Sequence, residues 1–313
     1  MDLPKLDSLT KTWHTEPYPS ISPTRPELSA KGKNVIVTGG GTGIGRAIAV
    51  AFAQAGAKSV SILGRRVDKL KEGAEAISKE ATTKETKVLY EKADLSDRSQ
   101  VDAALKSITD QVGKIDILVS NAGFLPTPGQ LLDYDPAFLM RGFELNVLTT
   151  LNILQAFVPL AGPEPVVINT STAIAHFRPV TGAGGYGISK AANLKLVDYF
   201  AWENPQIHVV NLQPGFVPTD LNGHPDEATD VGKILLPLVT ATHASRDHEK
   251  LMMAFCILAE LPGQFAVWLA SPEAKFLKSK FVWSNWDVPE MLEKAEEIKT
   301  TKLLDWKLEG IAM

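Results

Sequence analysis

The chain is poor in the residues that mark several specialised chemistries. It holds one cysteine, Cys256, among 313 residues, so an internal disulfide is excluded and a reducing compartment fits. That thiol closes the run Leu251-Met252-Met253-Ala254-Phe255-Cys256, where it reads as a small buried hydrophobe. No stretch approaches ~18 uninterrupted apolar residues, which argues against a transmembrane helix. The first residues, with Asp2, Pro4, Lys5 and Asp7, lack the apolar core of a secretory signal. Ile311-Ala312-Met313 is not a peroxisomal address. Positive charge is not in surplus: the formal net charge is -4 and the pI about 5.9, which argues against a nucleic-acid or anionic-membrane partner. His176, His208, His224, His243 and His248 offer no pair at metal-ligand spacing with a third partner, so no metal is expected. A G-x-S-x-G nucleophile elbow is also missing. The expectation is a soluble, cytoplasmic protein.

What is present is an alternation. Asn34-Val35-Ile36-Val37, Ser59 to Leu63, Ile115 to Val119, Pro165 to Ile168 and His208 to Leu212 are short β-branched runs, with Thr86 to Tyr90 a weaker one. Nearly continuous apolar strands suit burial on both faces. Helical patterns lie between them at Arg46 to Ala55, Val67 to Lys79, Val101 to Val112, Phe138 to Leu160 and Ala191 to Trp202. Strand and helix in turn predict an α/β fold, a doubly wound parallel sheet with right-handed crossovers. Residues 1–30, rich in proline, read as an N-terminal arm that is disordered or lies on the surface. The catalytic domain is expected over 31–287, with a substrate loop at about 218–250, and a C-terminal extension over 288–313. Near its end, Phe276 to Trp283 reads as the last strand of the catalytic domain and Glu290 to Lys299 as an added helix. Glu293, Glu296 and Glu297 read as a solvated helix face.

Three segments carry chemistry. The first strand runs into Thr38-Gly39-Gly40-Gly41-Thr42-Gly43-Ile44-Gly45, after which a helix opens. Glycines there let backbone amides approach a pyrophosphate, and the helix N-terminus adds partial positive charge. At the end of the second strand, where a carboxylate would accept a ribose 2′-hydroxyl, stand Gly64, Arg65 and Arg66. Two guanidiniums suit a 2′-phosphate, so NADP(H) is preferred over NAD. Finally, Tyr186 and Lys190 are four apart and share a helix face. A positive charge beside the phenol favours the phenolate and brings its pKa toward the working range.

Together with Asp94-Leu95, Asn121-Ala122-Gly123, Asn146, Asn169-Thr170-Ser171-Thr172 and Pro214-Gly215-Phe216-Val217-Pro218-Thr219, these segments resemble the short-chain dehydrogenase/reductase family. The branch is that of shorter subunits with the T-G-x-x-x-G-x-G loop, and the likeness spans about residues 30 to 272. The resemblance implies a Rossmann fold in a single domain, with Gly39, Thr42, Gly43, Ile44 and Gly45 holding the cofactor. It further implies that Asp94 and Leu95 line the adenine and that Asn121, Ala122 and Gly123 lie beside the cofactor. Lys190 would hold the nicotinamide ribose and depress the pKa of Tyr186, the acid/base. Asn146 would anchor a water that relays protons to Lys190. Val217 and Thr219, with Pro214 and Gly215, would hold the carboxamide end. The hydroxyl that orients the substrate oxygen is Thr172 by alignment, or Ser171 if the loop shifts by one residue.

The implied activity is reduction of a carbonyl, or oxidation of a secondary alcohol, on a small and fairly apolar molecule. A non-catalytic NADP(H)-sensing protein and a non-net-redox isomerase or dehydratase on the same fold remain as alternatives. The tail departs from the family's usual glycine-rich end and resembles fungal members, which makes a secondary-metabolite substrate plausible by analogy. Trp283 and Trp286 read as packing for the terminal helix, with a subunit contact or pocket wall as the other reading. A homodimer through the two long central helices is expected, with a tetramer open.

Overall fold

The computed structural model describes residues 8–176, 179, 181–219, 221 and 257–306. Among them, one parallel sheet holds β1 (Asn34–Thr38), β2 (Ser59–Gly64), β3 (Lys87–Lys92), β4 (Ile115–Ser120), β5 (Ala161–Thr170), β6 (His208–Gln213) and β7 (Phe281–Trp283). Their order across the sheet is β3-β2-β1-β4-β5-β6-β7. Every residue of β1 is buried, as a central strand covered on both faces requires. β3 alternates between exposed and half-buried positions because it is the sheet edge, which accounts for its faint sequence signal.

Alternate strand residues face two apolar layers. Val35, Val37, Val60 and Ile62 pack with Ile48 and Phe52 of α1 (Gly43–Gln54), Leu70 and Ile77 of α2 (Val67–Glu80), and Phe265 and Trp268 of a later helix, Glu260–Leu269. Ile36, Leu118, Val167 and Val209 face the other way, onto α3 (Arg98–Val112) and two further helices, Thr149–Phe157 and Gly184–Glu203. Numbered in chain order, α4 is Pro136–Phe143, α5 Thr149–Phe157, α6 Gly184–Glu203 and α7 Glu260–Leu269. The tail adds α8 (Val288–Glu293) and α9 (Ala295–Thr300). Helix starts are chemically marked: Asp97 accepts the amides of Ser99 and Gln100 ahead of α3, and Asp135 that of Ala137 ahead of α4.

The structure redraws three expected elements. The helix over Phe138 to Leu160 is one rod, but Glu144–Leu148 between α4 and α5 is a π-turn. By length and composition the rod, Pro136–Leu160, could cross a bilayer, yet half of its apolar window is buried inside the fold. The strand expected from Phe276 shrinks to Phe281–Trp283, because Pro272–Leu277 winds as a 3-10 helix and Ser279 turns the chain at φ 64°. The helix expected over Glu290 to Lys299 breaks at Lys294 into α8 and α9.

The described part of the N-terminal arm lies against the body. Ile21 and Leu28 are within the core, the Tyr18 hydroxyl donates to the Trp286 carbonyl at 2.8 Å, and Arg25 pairs with Glu273 at 2.7 Å. Met291 and Ile298 of the tail join the same core. The expected substrate loop at 218–250 lies outside the described residues except at 218, 219 and 221, and so does the Cys256 run.

Candidate active site

β1 passes its chain outward to β2, whereas β4 passes it to β5 on the other side. The crevice at their carboxyl ends is where ligands bind in open α/β sheets. Here it holds a cavity of about 730 Å³.

The glycine loop forms its first wall. Gly39 and Gly43 adopt φ of 67° and 52°, a left-handed region that other residues enter at a cost. A Cβ on Gly45 would lie 2.3 Å from the Gly39 carbonyl oxygen, so the turn closes only around a bare Cα. Gly39, Thr42, Gly43, Ile44 and Gly45 all line the cavity at the start of α1. Thr38 laces this loop to the one after β4: its Oγ1 accepts the amides of Asn121 at 2.9 Å and Ala122 at 3.0 Å. The Asn121 side chain returns a bond to the Thr38 carbonyl at 3.1 Å.

The second wall is cationic. Gly64, Arg65, Arg66 and Lys69 line the cavity beyond β2, and Arg66 reaches Thr42 Oγ1 at 3.5 Å. Across from them, Asp94 is held below the ordinary carboxylate range, first by the hydroxyl of Ser96 and to a smaller extent by the guanidiniums of Arg65 and Arg141. Leu95, Ala122 and Gly123 complete this side.

The third wall comes from α6, which places Tyr186 and Lys190 one turn apart on the cavity. Lys190 is buried, donates from Nζ to the Thr170 carbonyl at 3.0 Å, and has its pKa pulled down by burial to about 8. The lowered phenol expected of Tyr186 is not found. Burial pushes its pKa up from the ordinary value, because removal from water disfavours the phenolate. In this arrangement Tyr186 holds its proton firmly and Lys190 holds its own loosely.

The remaining assignments divide. Thr170 and Ser171 line the cavity at the end of β5, and both hydroxyl oxygens are buried without a partner. Thr172 sits just outside the lining, where Oγ1 accepts the Ile174 amide at 3.4 Å. That contact uses an acceptor lone pair and leaves the O–H as a donor. Pro214, Thr219 and Leu221 line the far end, with Gly215 at φ 84° and Val217 buried behind them. Asn146 lies behind Gly123 rather than on the cavity. The ring of His176 packs edge-on against Phe281 at 4.8 Å, and Trp283 stacks over Trp286 at 6.3 Å.

Sequence reasoning passed over Lys69, Phe124, Leu145 and Thr149, all of them on the cavity. Lys69 could have been found, since it lies in the first turn of α2, just after Arg65 and the Arg66 cap.

The residues present fit a dinucleotide: a glycine cradle that a Cβ would fill, a cationic end without a carboxylate on β2, and unpartnered hydroxyls at the other end. Comparison with known proteins agrees. The family model for short chain dehydrogenase matches residues 33–230. The short chain dehydrogenase/reductase nsrO of Aspergillus novofumigatus is 32% identical over 92% of this chain and 92% of its own. Among solved structures, a short-chain type dehydrogenase/reductase from Mycobacterium marinum superposes with a TM-score of 0.70, at 26% identity, over 84% of this chain and 97% of that one. A short chain dehydrogenase from Burkholderia cenocepacia, solved in complex with NADP, shares the fold at a TM-score of 0.68 and 23% identity, over 83% of this chain and 99% of that one.

Proposed function

The chain belongs to the short chain dehydrogenase family, and on that premise we propose that it is an NADP(H)-dependent oxidoreductase. It reduces a carbonyl, or oxidises a secondary alcohol, of a small and fairly apolar molecule. One observation carries this reading: a single cavity has Tyr186 and Lys190 at one end and Arg65 and Arg66, with no carboxylate on β2, at the other.

When bound, the cofactor supplies hydride chemistry, and the protein supplies position and charge. The glycine loop and the first turn of α1 would hold the pyrophosphate, and Arg65 and Arg66 the 2′-phosphate. Tyr186 gives its phenolic proton to the substrate oxygen in the reducing direction, as its place on the cavity one turn from Lys190 allows. Thr172 donates its O–H to the same oxygen and fixes its approach. Lys190 replaces the proton that Tyr186 loses.

The test is consumption of NADPH against a panel of ketones. Turnover by the wild type and its loss in Tyr186→Phe, with NADPH affinity retained, is the expected pair of results. Tight NADPH binding without turnover would instead describe a nucleotide sensor, and product without net NADPH consumption an isomerase or dehydratase.

A homodimer through the rod and α6 belongs to the same proposal. It is supported by exposed Leu148 and Leu151 on the rod and Tyr199 and Trp202 on α6. Light scattering on the eluting protein reads it directly, and a monomeric mass would reject it.

A further inference from the structure

A second cavity, of about 420 Å³, lies at the amino ends of the strands, away from the dinucleotide crevice. It opens between Lys33 ahead of β1, the starts of β4, β5 and β6, and the chain that leaves α7. β6 rises about 17 Å from His208 at this end to Gln213 at the other, so the two cavities are separate.

The floor is apolar core: Leu28, Phe52, Ile117 and Val267 line it, each 3% exposed or less. Two polar atoms of the wall, Ser271 Oγ and His208 Nε2, are buried and have no hydrogen-bond partner among the described residues. Ser271, itself 8% exposed, stands ahead of the 3-10 turn Pro272–Leu277. A serine there ordinarily accepts an amide of the turn, yet this one makes no such bond. Buried polar atoms are costly when unpaired. Both can donate, the hydroxyl through its O–H and the imidazole when its proton sits on Nε2.

The charge around them is one-sided. Burial first, then the ammoniums of Lys278 and Lys275, hold the His208 pKa down at about 4, and no carboxylate is among the charges that move it. Both lysines line the cavity. Lys278 donates to the Pro205 carbonyl, a neutral partner that leaves its charge uncancelled. The carboxylates of the lining are engaged or turned to water: Asp116 accepts the Asn34 amide at 2.8 Å and pairs with Lys33 at 3.7 Å, and Glu164 is exposed. An apolar floor below two idle donors and two ammoniums matches an anionic head on an apolar body.

We propose that this cavity is a second ligand site, for a small monocarboxylate with a short alkyl or aryl body. The body lies on Leu28, Phe52 and Val267, and the carboxylate accepts from His208 Nε2 and Ser271 Oγ beside Lys275. Inorganic phosphate lacks the body, and an alcohol of the same length lacks the charge.

Calorimetric titration of the full chain with hexanoate, and with hexanol and inorganic phosphate as controls, is the test. Hexanoate should bind at a single site with a Kd of about 1 mM or tighter, and at least about tenfold tighter than either control. Saturating NADPH should leave that Kd unchanged, and hexanoate should move the nitrogen NMR signals of the His208 ring. Ser271→Ala removes an oxygen without a partner and Lys275→Gln an exposed charge, so both variants should fold. They should weaken hexanoate by about fivefold and about threefold, and hexanol by less than about twofold.

No saturable binding of hexanoate would leave the cavity to water and overturn the proposal. Equal affinity for hexanol would deny the donors a role, and equal affinity for phosphate would deny the floor one; either result sinks it. Displacement of hexanoate by NADPH, or an unchanged Kd in both variants, would place the acid elsewhere on the chain and reject the site.

Discussion

The two halves of the sheet edge are built by different means. From β1 to β3 the site is made of backbone: bare Cα atoms, left-handed glycines and amides tied to Thr38. From β5 to β7 and α6 it is made of buried side chains, among them Asn169, Asn193, Asn211, Lys190 and two hydroxyls without a partner. The glycine loop of the first half has no room for an added atom, whereas the second half depends on its hydrogen bonds. Both rules come from close packing, applied to volume in one case and to polar pairing in the other.

The largest expected effect breaks the first half. Gly45→Ala sets a Cβ 2.3 Å from the Gly39 carbonyl oxygen, a backbone atom, and 2.6 Å from Asn121 Nδ2, which is tied to the Thr38 carbonyl. Overpacking of this kind costs roughly 1–3 kcal/mol or more. NADPH binding, followed by its fluorescence, should be lost or fall by more than about a hundredfold. The matched control lies in the other half, at Gly187→Ala. There the added Cβ meets the Ile174 side chain at 3.1 Å, which can give way, so binding should stay near wild type. Equal losses in both variants would show that the contrast is wrong.

Next comes the hydroxyl pair. Thr172→Ala should lower kcat about a hundredfold, the usual cost of one donor to a reacting oxygen. Ser171→Ala removes a buried, unpartnered hydroxyl and should change kcat by less than about threefold. Steady-state rates on whichever ketone is turned over decide between them. The reverse ranking would move the donor to Ser171 and place the substrate oxygen deeper in the cavity.

The same contrast explains what was legible in the sequence. Residue types leave local marks, so the glycine loop, Arg65-Arg66 and the alternation of strands and helices could be read from one chain. Side-chain networks leave fewer marks, because partners distant in sequence meet only in the fold. Asn146 and Asn169 stood out by resemblance, but Asn193 and Asn211 looked like ordinary residues of a helix and a strand. The π-turn left no mark either: the Asn146 side chain bonds to Phe124 and the Asn193 amide to its carbonyl there, contacts between partners distant in sequence. In the tail, Ser279 at positive φ and the break at Lys294 cut elements that hydrophobic pattern alone had run together.

A smaller effect sharpens the cationic end. Arg65→Ala with Arg66→Ala should weaken NADPH by about tenfold or more while leaving NADH within about twofold, since charge-assisted bonds to a phosphate are lost and ribose contacts are not. Dissociation constants for the two cofactors measure this. Lys69 lines the same wall, so a residual NADPH preference after the double change would fall to it.

The smallest effect concerns titration in the side-chain half. Asp198 on α6 has its pKa raised to about 6, first by burial and then by Asp305, against the pull of Lys195. A carboxyl whose folded pKa lies above its unfolded value of 3.8 binds more protons folded than unfolded between those two values. Its contribution to stability is therefore greatest at low pH and declines as pH rises to about 6. Asp198→Asn removes that penalty. The variant should melt a few degrees above wild type near about pH 7.5, corresponding to roughly 1 kcal/mol after allowance for partial exposure, and the gap should close toward about pH 4. His208 titrates in the opposite sense. Burial, with Lys278 and Lys275, depresses its pKa to about 4. The folded state keeps it neutral, and stability is lost as pH falls from the ordinary imidazole value of 6.5 toward about 4. In a pH series, His208→Gln should therefore gain on wild type only in acid and Asp198→Asn only above it, and a variant that gained across the whole range would show that lost packing, not charge, was being measured.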